Sequence, residues 1–271
     1  MRRRSPSSVD VVEEVLAHGM PALAWGAGPP LVYLRGFSTT HTNPAGLQRV
    51  AELRMLRPLA EQFRIHAVGR APGLVPGVAM ADIAQQHADA LRERFEEPVD
   101  VLGVSSGGSI ALQLAADHPA VVRRLVVAAS GFRLGEDARR AQLRYVTATA
   151  AGRRGAQHLA PFKVSSKLGQ VVTAPLMWLF DPLLRPSDPS DMVAFAHAED
   201  AFDLGDRLAE ISTPLLVIAG ERDTVYPADI VAATAGRVQH GRLITYPGAS
   251  HGSTLTHPRF PEDVASFLSA R

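Results

Sequence analysis

A serine lies between two glycines in the segment Gly103-Val104-Ser105-Ser106-Gly107, which matches the pattern Gly-x-Ser-x-Gly. A mostly apolar run precedes the segment and a helical pattern follows it. Glycines two positions before and two after a serine permit the tight, strained turn that exposes a nucleophile between a strand and a helix. Ser105 is therefore the candidate nucleophile. Ser106 competes with it, but only one of the two matching positions around Ser106 is a glycine.

A serine hydroxyl needs a base to remove its proton, and the base needs a third group to orient it. Asp223 is the candidate for that third group, because it follows the apolar run Leu215–Ala219. The candidate base is His251, which lies among small residues after the run Leu243–Tyr246. The competing residues are Glu221, Asp200, Asp203 and Asp206 for the acid, and His257 for the base. The pattern thus predicts a catalytic triad in the chain order Ser, Asp, His.

The elements that must position these residues alternate along the chain. Apolar, β-branched runs predict strands, and the amphipathic segments between them predict helices. The predicted strands are Leu31–Leu34, Ile65–Val68, Val99–Val104, Leu125–Ala129, Leu215–Ala219 and Leu243–Tyr246, and the predicted helices are Leu47–Phe63, Met80–Phe95, Ser109–His118 and Pro261–Leu268. This alternation predicts an α/β fold with a mostly parallel sheet covered by helices on both faces.

The strand pattern stops between Gly131 and Ile211, where only helical patterns occur. An insertion of roughly 75 residues is far longer than an ordinary crossover between parallel strands. It predicts a helical cap over the carboxyl edge of the sheet, where open α/β sheets bind ligands. The predicted domains are a core of residues 1–130 and 212–271 and a cap of residues 131–211. Trp178 and Phe180 are candidate substrate-binding residues of this cap segment, or else they pack it onto the core.

Composition excludes several other classes of protein. The 271 residues include 28 Lys and Arg against 27 Asp and Glu, so no global charge favours nucleic acid. With no cysteine, the chain has no disulfides, thiolate metal sites or cysteine nucleophile. No metal or cofactor is predicted, since Gly103–Gly108 lacks the lysine and the spacing of a phosphate loop.

The start of the chain is basic, with Arg2, Arg3 and Arg4, but Glu13 and Glu14 interrupt the only apolar stretch that could complete a signal peptide. The most apolar run elsewhere, Val171–Phe180, is about half the length of a membrane span. The sequence thus favours a basic tail on a cytoplasmic protein without a membrane span. It makes no prediction of the oligomeric state.

The segments around these candidates resemble the α/β-hydrolase superfamily, in its serine-nucleophile form with a helical cap. The resemblance covers nearly the whole chain, from Pro29–Phe37 through the serine motif to Gly220–Asp223 and Gly248–Gly252. It implies a tetrahedral intermediate whose oxyanion is held by two backbone amides, here those of Phe37 and Ser106.

The chain departs from the family pattern at two places. The usual His-Gly of the first loop is Arg35-Gly36, and the usual Asp-x-Arg-Gly after the second strand is replaced by Gly69–Gly73. The guanidinium of Arg35 has two possible roles, a structural ion pair beneath the loop or a clamp on a substrate carboxylate.

The leading functional hypothesis is hydrolysis of a carboxylic ester or related small acyl compound through an acyl-enzyme on Ser105. The same triad would also serve C–C bond hydrolysis, lactone opening, perhydrolysis or lyase chemistry, because the fold hosts all of them. A further alternative is a ligand-binding protein of this fold with a vestigial triad.

Overall fold

The computed structural model describes residues 10–164 and 166–270, and its centre is an eight-stranded sheet. The strands are β1 (Val12–Leu16), β2 (Met20–Gly26), β3 (Pro30–Leu34), β4 (Arg64–Val68), β5 (Val99–Val104), β6 (Val122–Ala128), β7 (Leu215–Gly220) and β8 (Gly241–Tyr246), in the order β1-β2-β4-β3-β5-β6-β7-β8. From β4 to β8 all neighbours are parallel, whereas β2 runs antiparallel to both β1 and β4.

Helices cover both faces of the sheet: α1 (Gly46–Ala60), α2 (Met80–Arg94), α3 (Ser106–Asp117), α8 (Ala228–Arg237), α9 (His251–Thr254) and α10 (Phe260–Ser269). Neighbouring residues of one strand point to opposite faces. Val101 therefore packs in the cluster formed with α2, α3 and α8, and Leu102 packs in the cluster formed with α1 and α10. Both faces are apolar, which explains why these strands appear in the sequence as continuous apolar runs.

The predicted α/β-hydrolase fold is confirmed, with strand and helix bounds close to those expected. Helix α3 begins at Ser106 rather than Ser109, directly after the serine motif. The hairpin of β1 and β2 was not predicted, because Glu13 and Glu14 obscure the short first strand. The basic stretch Arg2–Arg4 lies outside the described residues.

Between β6 and β7 the described residues form four α-helices: α4 (Glu136–Ala150), α5 (Ala160–Lys163), α6 (Lys167–Leu184) and α7 (Ser190–Asp200). No strand lies in this stretch among the residues that the structure describes. The division of the chain at residues 131 and 211 stays a prediction. Across residues 10–164 and 166–270, no helix combines the length and the apolar character that crossing a membrane requires.

Candidate active site

Ser105 lies in a strained turn at the carboxyl end of β5. Its backbone has φ 52° and ψ −126°, in the left-handed half of conformational space that residues with a side chain rarely adopt. The flanking glycines make this turn possible. A Cβ on Gly103 would lie 2.6 Å from the carbonyl oxygen of Gly107, and a Cβ on Gly107 would lie 2.2 Å from that of Leu34. Both distances are too short for any side chain, so the turn requires both glycines.

The structure brings the three predicted triad residues together. The Oγ atom of Ser105 is 3.1 Å from Nε2 of His251, and Nδ1 of His251 is 2.9 Å from Oδ2 of Asp223. The other carboxylate oxygen, Oδ1 of Asp223, accepts hydrogen bonds from the amides of Val225 and Tyr226. The Asp223 carboxylate is therefore fixed by its own turn and holds the imidazole with its Nε2 facing the serine.

Strand register explains why distant residues meet here. Val104 pairs with Ala128, and Gly220 pairs with Tyr246, so β5, β6, β7 and β8 all end at one edge of the sheet. Asp223 follows β7 by three residues, and His251 opens the short helix α9 after β8. The side chain of Asp223 is completely buried, while that of His251 is 15% exposed, which gives the histidine access to a substrate.

The competing residues have other contacts. Glu221 accepts a hydrogen bond from the amide of Gly248 and thereby ties the loop after β7 to the loop after β8. His257 stacks on Tyr246, with ring centroids 3.8 Å apart. The hydroxyl of Ser106 is buried and donates to Glu199. The structure therefore gives each of these side chains a structural contact.

The loop that follows β3 passes directly over the candidate nucleophile. A Cβ on Gly36 would lie 3.3 Å from Cβ of Ser105, so the backbone of this loop and the serine are in close approach. Phe37 is the next residue, and its amide belongs to this loop. Ser106 opens α3, where the first amides of a helix have no partner within the helix and are available to an anion. These are the two backbone groups predicted to hold an oxyanion.

Arg70 fixes the shape of that loop from below. Its guanidinium donates to the carbonyl oxygens of Gly36 (3.1 Å) and Ser38 (3.3 Å), to Oγ of Ser38 and to Nε2 of His41. It also lies 4.0 Å from the ring centroid of Phe195, a cation–π distance. Burial lowers the pKa of Arg70 to about 10, so the side chain stays charged at neutral pH. The sequence marked Gly69–Gly73 as a departure from the family pattern but gave no role for this residue.

Arg35 has a different set of partners. Its Nε and Nη2 donate to the two carboxylate oxygens of Glu52 at 2.8 and 2.9 Å, and its Nη1 donates to Asn43. This two-pronged pair is the geometry in which arginine and a carboxylate bind most strongly. The contacts support the structural alternative for Arg35, and its substrate-binding role stays a prediction.

Glu199 is a buried carboxylate next to the nucleophile turn that sequence reasoning did not identify. It comes from α7 and accepts hydrogen bonds from Ser106 (2.9 Å), Gln142 (3.0 Å), Ser109 (3.3 Å) and Tyr226 (3.4 Å). Burial raises its pKa, while these donors favour its ionised form. Glu199 precedes Asp200 on a helix, so its sequence context resembled an ordinary solvated acidic surface. Glu199 is buried because α7 packs over α3, and its carboxylate joins the two helices by hydrogen bonds.

Aromatic rings surround the candidate triad. Tyr226 stacks on the ring of His251 at 6.0 Å, and Phe162 of α5 meets it edge-on at 6.4 Å. The two rings chosen from the sequence lie farther out in solvent. Trp178 is 48% exposed and packs against Arg154, and Phe180 is 51% exposed. Their predicted contact with substrate stays untested. Among the described residues, Phe162 and Tyr226 are the aromatic side chains that contact His251.

Metal ligation has no evident site in the part of the chain that the structure describes. There, no group of three or more His, Cys, Asp or Glu side chains is arranged to hold a metal ion. The buried histidines near the loop are engaged by protein atoms instead. Nδ1 of His41 lies 2.8 Å from the carbonyl oxygen of Ala71, and its Nε2 accepts from Arg70.

Comparison with known proteins agrees with the observed fold. Residues 76–255 match the model of the family described as serine aminopeptidase, S33, which is more than half of the chain. A pimeloyl-[acyl-carrier protein] methyl ester esterase of Neisseria meningitidis is 30% identical over 199 residues, which span 68% of this chain and 62% of that protein. A protein of the same name from Nitrosomonas europaea is 25% identical over 255 residues, covering 90% of this chain and 96% of the other.

Among solved structures, a hydrolase from Pseudomonas aeruginosa superposes with a TM-score of 0.74 at 24% identity, covering 96% of this chain and 99% of that one. At this identity the likeness concerns the fold. The family match covers both the serine motif and the loops that carry Asp223 and His251. This protein therefore belongs to the serine aminopeptidase S33 family of α/β-hydrolase enzymes.

Proposed function

We propose that this protein hydrolyses carboxylic esters of small acyl compounds through an acyl-enzyme on Ser105. The observation that carries the proposal is the continuous chain of hydrogen bonds from Ser105 Oγ through His251 to Asp223, at the edge where the sheet ends. The two relatives named as methyl ester esterases support an ester as the bond that is cleaved.

In the first half of the reaction, His251 takes the proton of Ser105 through Nε2 while Oγ attacks the acyl carbon. Asp223 accepts from Nδ1–H and stabilises the imidazolium that forms. The amides of Phe37 and Ser106 hold the oxyanion, and they would be worth several kcal/mol in a site closed to water. The intermediate then expels the alcohol, which receives the proton from His251. In the second half, a water molecule repeats these steps on the acyl-enzyme and releases the acid.

The test is a pair of neighbouring variants, Ser105→Ala and Ser106→Ala, assayed on a panel of p-nitrophenyl esters. Loss of the nucleophile should lower kcat on the order of 10⁴-fold or more. Ser106→Ala keeps its backbone amide and loses only the bond to Glu199, so it should retain most of the activity. A fluorophosphonate should label the wild type and Ser106→Ala but not Ser105→Ala. Equal activity of Ser105→Ala and the wild type would refute the proposal.

A further inference from the structure

Helix α6 presents an unusually apolar face to solvent. Its exposed large side chains are Leu168, Val171, Val172, Leu176, Trp178, Leu179, Phe180 and Leu183, each between 48% and 80% exposed. At 100° per residue these positions cover an arc of about 200°. Asp181 is the only acidic residue of the helix, and it is buried against the amides of Gly155 and Ala156. We call this outer surface the α6 face.

Basic residues border the α6 face. Lys163 and Lys167, the only lysines in the chain, are exposed at the N-terminal end of the helix. Arg154 lies over the ring of Trp178 at 3.9 Å, and Arg153 next to it is exposed. Arg185 follows the C-terminal end of the helix, but its guanidinium is paired with Asp181 at 2.6 Å, so the border charge comes from the two lysines, Arg153 and Arg154. An apolar stripe with Trp, Phe and Leu, bordered by Lys and Arg, is the composition of helices that lie in the plane of a lipid surface.

We propose that the α6 face docks this protein onto an anionic lipid surface, with the helix lying parallel to the membrane plane. The charge of the border selects this occupant. A second copy placed face to face would bring two sets of lysines and arginines together, which is unfavourable, whereas anionic headgroups complement them. At 18 residues the helix is about 27 Å long and would immerse one side only, consistent with its inability to cross a bilayer.

Docking through this face would place the membrane beside the candidate active site. Helix α5 ends at Lys163, close to the start of α6, and its Phe162 meets the ring of His251. The carbonyl oxygen of Pro161, also in α5, is 3.5 Å from the hydroxyl of Thr224, next to Asp223. Membrane docking requires only the exposed surface and its charges, and it does not depend on ester hydrolysis.

Co-sedimentation of the full chain with vesicles tests the proposal. We expect binding to equimolar phosphatidylcholine and phosphatidylglycerol, and at least about tenfold weaker binding to phosphatidylcholine alone. The double variant Leu176→Glu/Leu183→Glu should weaken binding by about tenfold per leucine. Lys163→Gln/Lys167→Gln should weaken it by about fivefold per lysine, and more salt should reduce what remains.

The matched control is Leu47→Glu, because Leu47 is 87% exposed on α1 and belongs to another surface. It should bind vesicles as the wild type does, and all these variants should hydrolyse soluble p-nitrophenyl acetate at the rate of the wild type. Three results would overturn the proposal. The first is that the wild type does not bind anionic vesicles. The second is that binding survives in Leu176→Glu/Leu183→Glu but is lost when Arg2, Arg3 and Arg4 are replaced by Gln. The third is that sedimentation velocity shows a dimer, which the double leucine variant dissociates.

Discussion

Replacing Arg70 by Met should impair catalysis and stability together, because this side chain holds the loop that carries the Phe37 amide. The change removes the hydrogen-bond donor of two carbonyl oxygens, those of Gly36 and Ser38, and both residues are partly buried. Each lost partner costs about 1–2 kcal/mol, so the free energy of unfolding should fall by roughly 2–4 kcal/mol. Full loss of one oxyanion donor lowers kcat by about 10²–10³-fold. In Arg70→Met the Phe37 amide is displaced but still present, so kcat should fall by about tenfold to hundredfold, with little change in KM.

The matched control is Arg35→Met, because Arg35 directly follows β3 and precedes the same Gly36–Ser38 loop. Arg35 binds the side chains of Glu52 and Asn43, whereas Arg70 binds the loop carbonyls, so the loss of Arg35 should lower the free energy of unfolding by a similar amount. Its kcat/KM on a neutral ester should fall by about tenfold or less, which is ~1.4 kcal/mol. Thermal unfolding and initial rates measure both effects. If Arg70→Met lowers only the melting temperature, the loop does not need Arg70 for catalysis. A selective loss of a hundredfold or more by Arg35→Met on a carboxylate-bearing ester would instead make Arg35 a substrate anchor.

Three further changes have defined outcomes. His251→Ala should lose nearly all esterase activity and His257→Ala almost none, because only the first ring faces Ser105; equal losses in kcat would contradict this assignment. If the cap lines the substrate pocket, Trp178→Ala or Phe180→Ala should shift the preferred acyl chain length more than the melting temperature, as a p-nitrophenyl ester series would show. Burial lowers the pKa of His87 to about 4, below the value near 6.5 of a histidine in the unfolded chain. The neutral His87 side chain therefore contributes to the free energy of unfolding above pH 6.5, and this contribution is lost as the pH falls toward 4. Between pH 6.5 and 5 this amounts to about 2 kcal/mol, and urea titrations of the wild type and His87→Gln should differ in their pH dependence.

The sequence was sufficient to predict the positions of Ser105, Asp223 and His251 because each follows a parallel strand. Parallel strands end at one edge of a sheet, so three segments far apart in the chain had to converge there. The choice of Asp223 over Glu221 as the acid depended only on the distance of each residue from the end of the strand. The hydrogen bond from the Gly248 amide gives Glu221 a physical role that spacing could not supply.

Glu199 and Arg70 could not be recognised from local sequence. An acid beside Asp200 and an arginine after a strand both have the composition of solvent-exposed surface. Both are buried because elements distant in the chain pack over them, α7 over α3 for Glu199 and the loop at Gly36–Ser38 over Arg70. Trp178 and Phe180 show the reverse case, since these two large apolar side chains are half exposed in the structure, while their contact with substrate stays a prediction. Burial of single side chains depends on such long-range contacts, which periodicity does not encode.

The bond between Glu199 and Ser106 also limits how the segment between β6 and β7 can be exchanged. A segment taken from another hydrolase, without an acid at position 199, would leave the hydroxyls of Ser106, Ser109 and Tyr226 without their common acceptor, next to the nucleophile. Conversely, in a hybrid that keeps this acid, the rest of the chain would need those hydroxyls, or Glu199 would be a buried charge with too few donors. In this enzyme the two parts of the chain are a matched pair, and recombination between relatives would succeed only where both parts are inherited together.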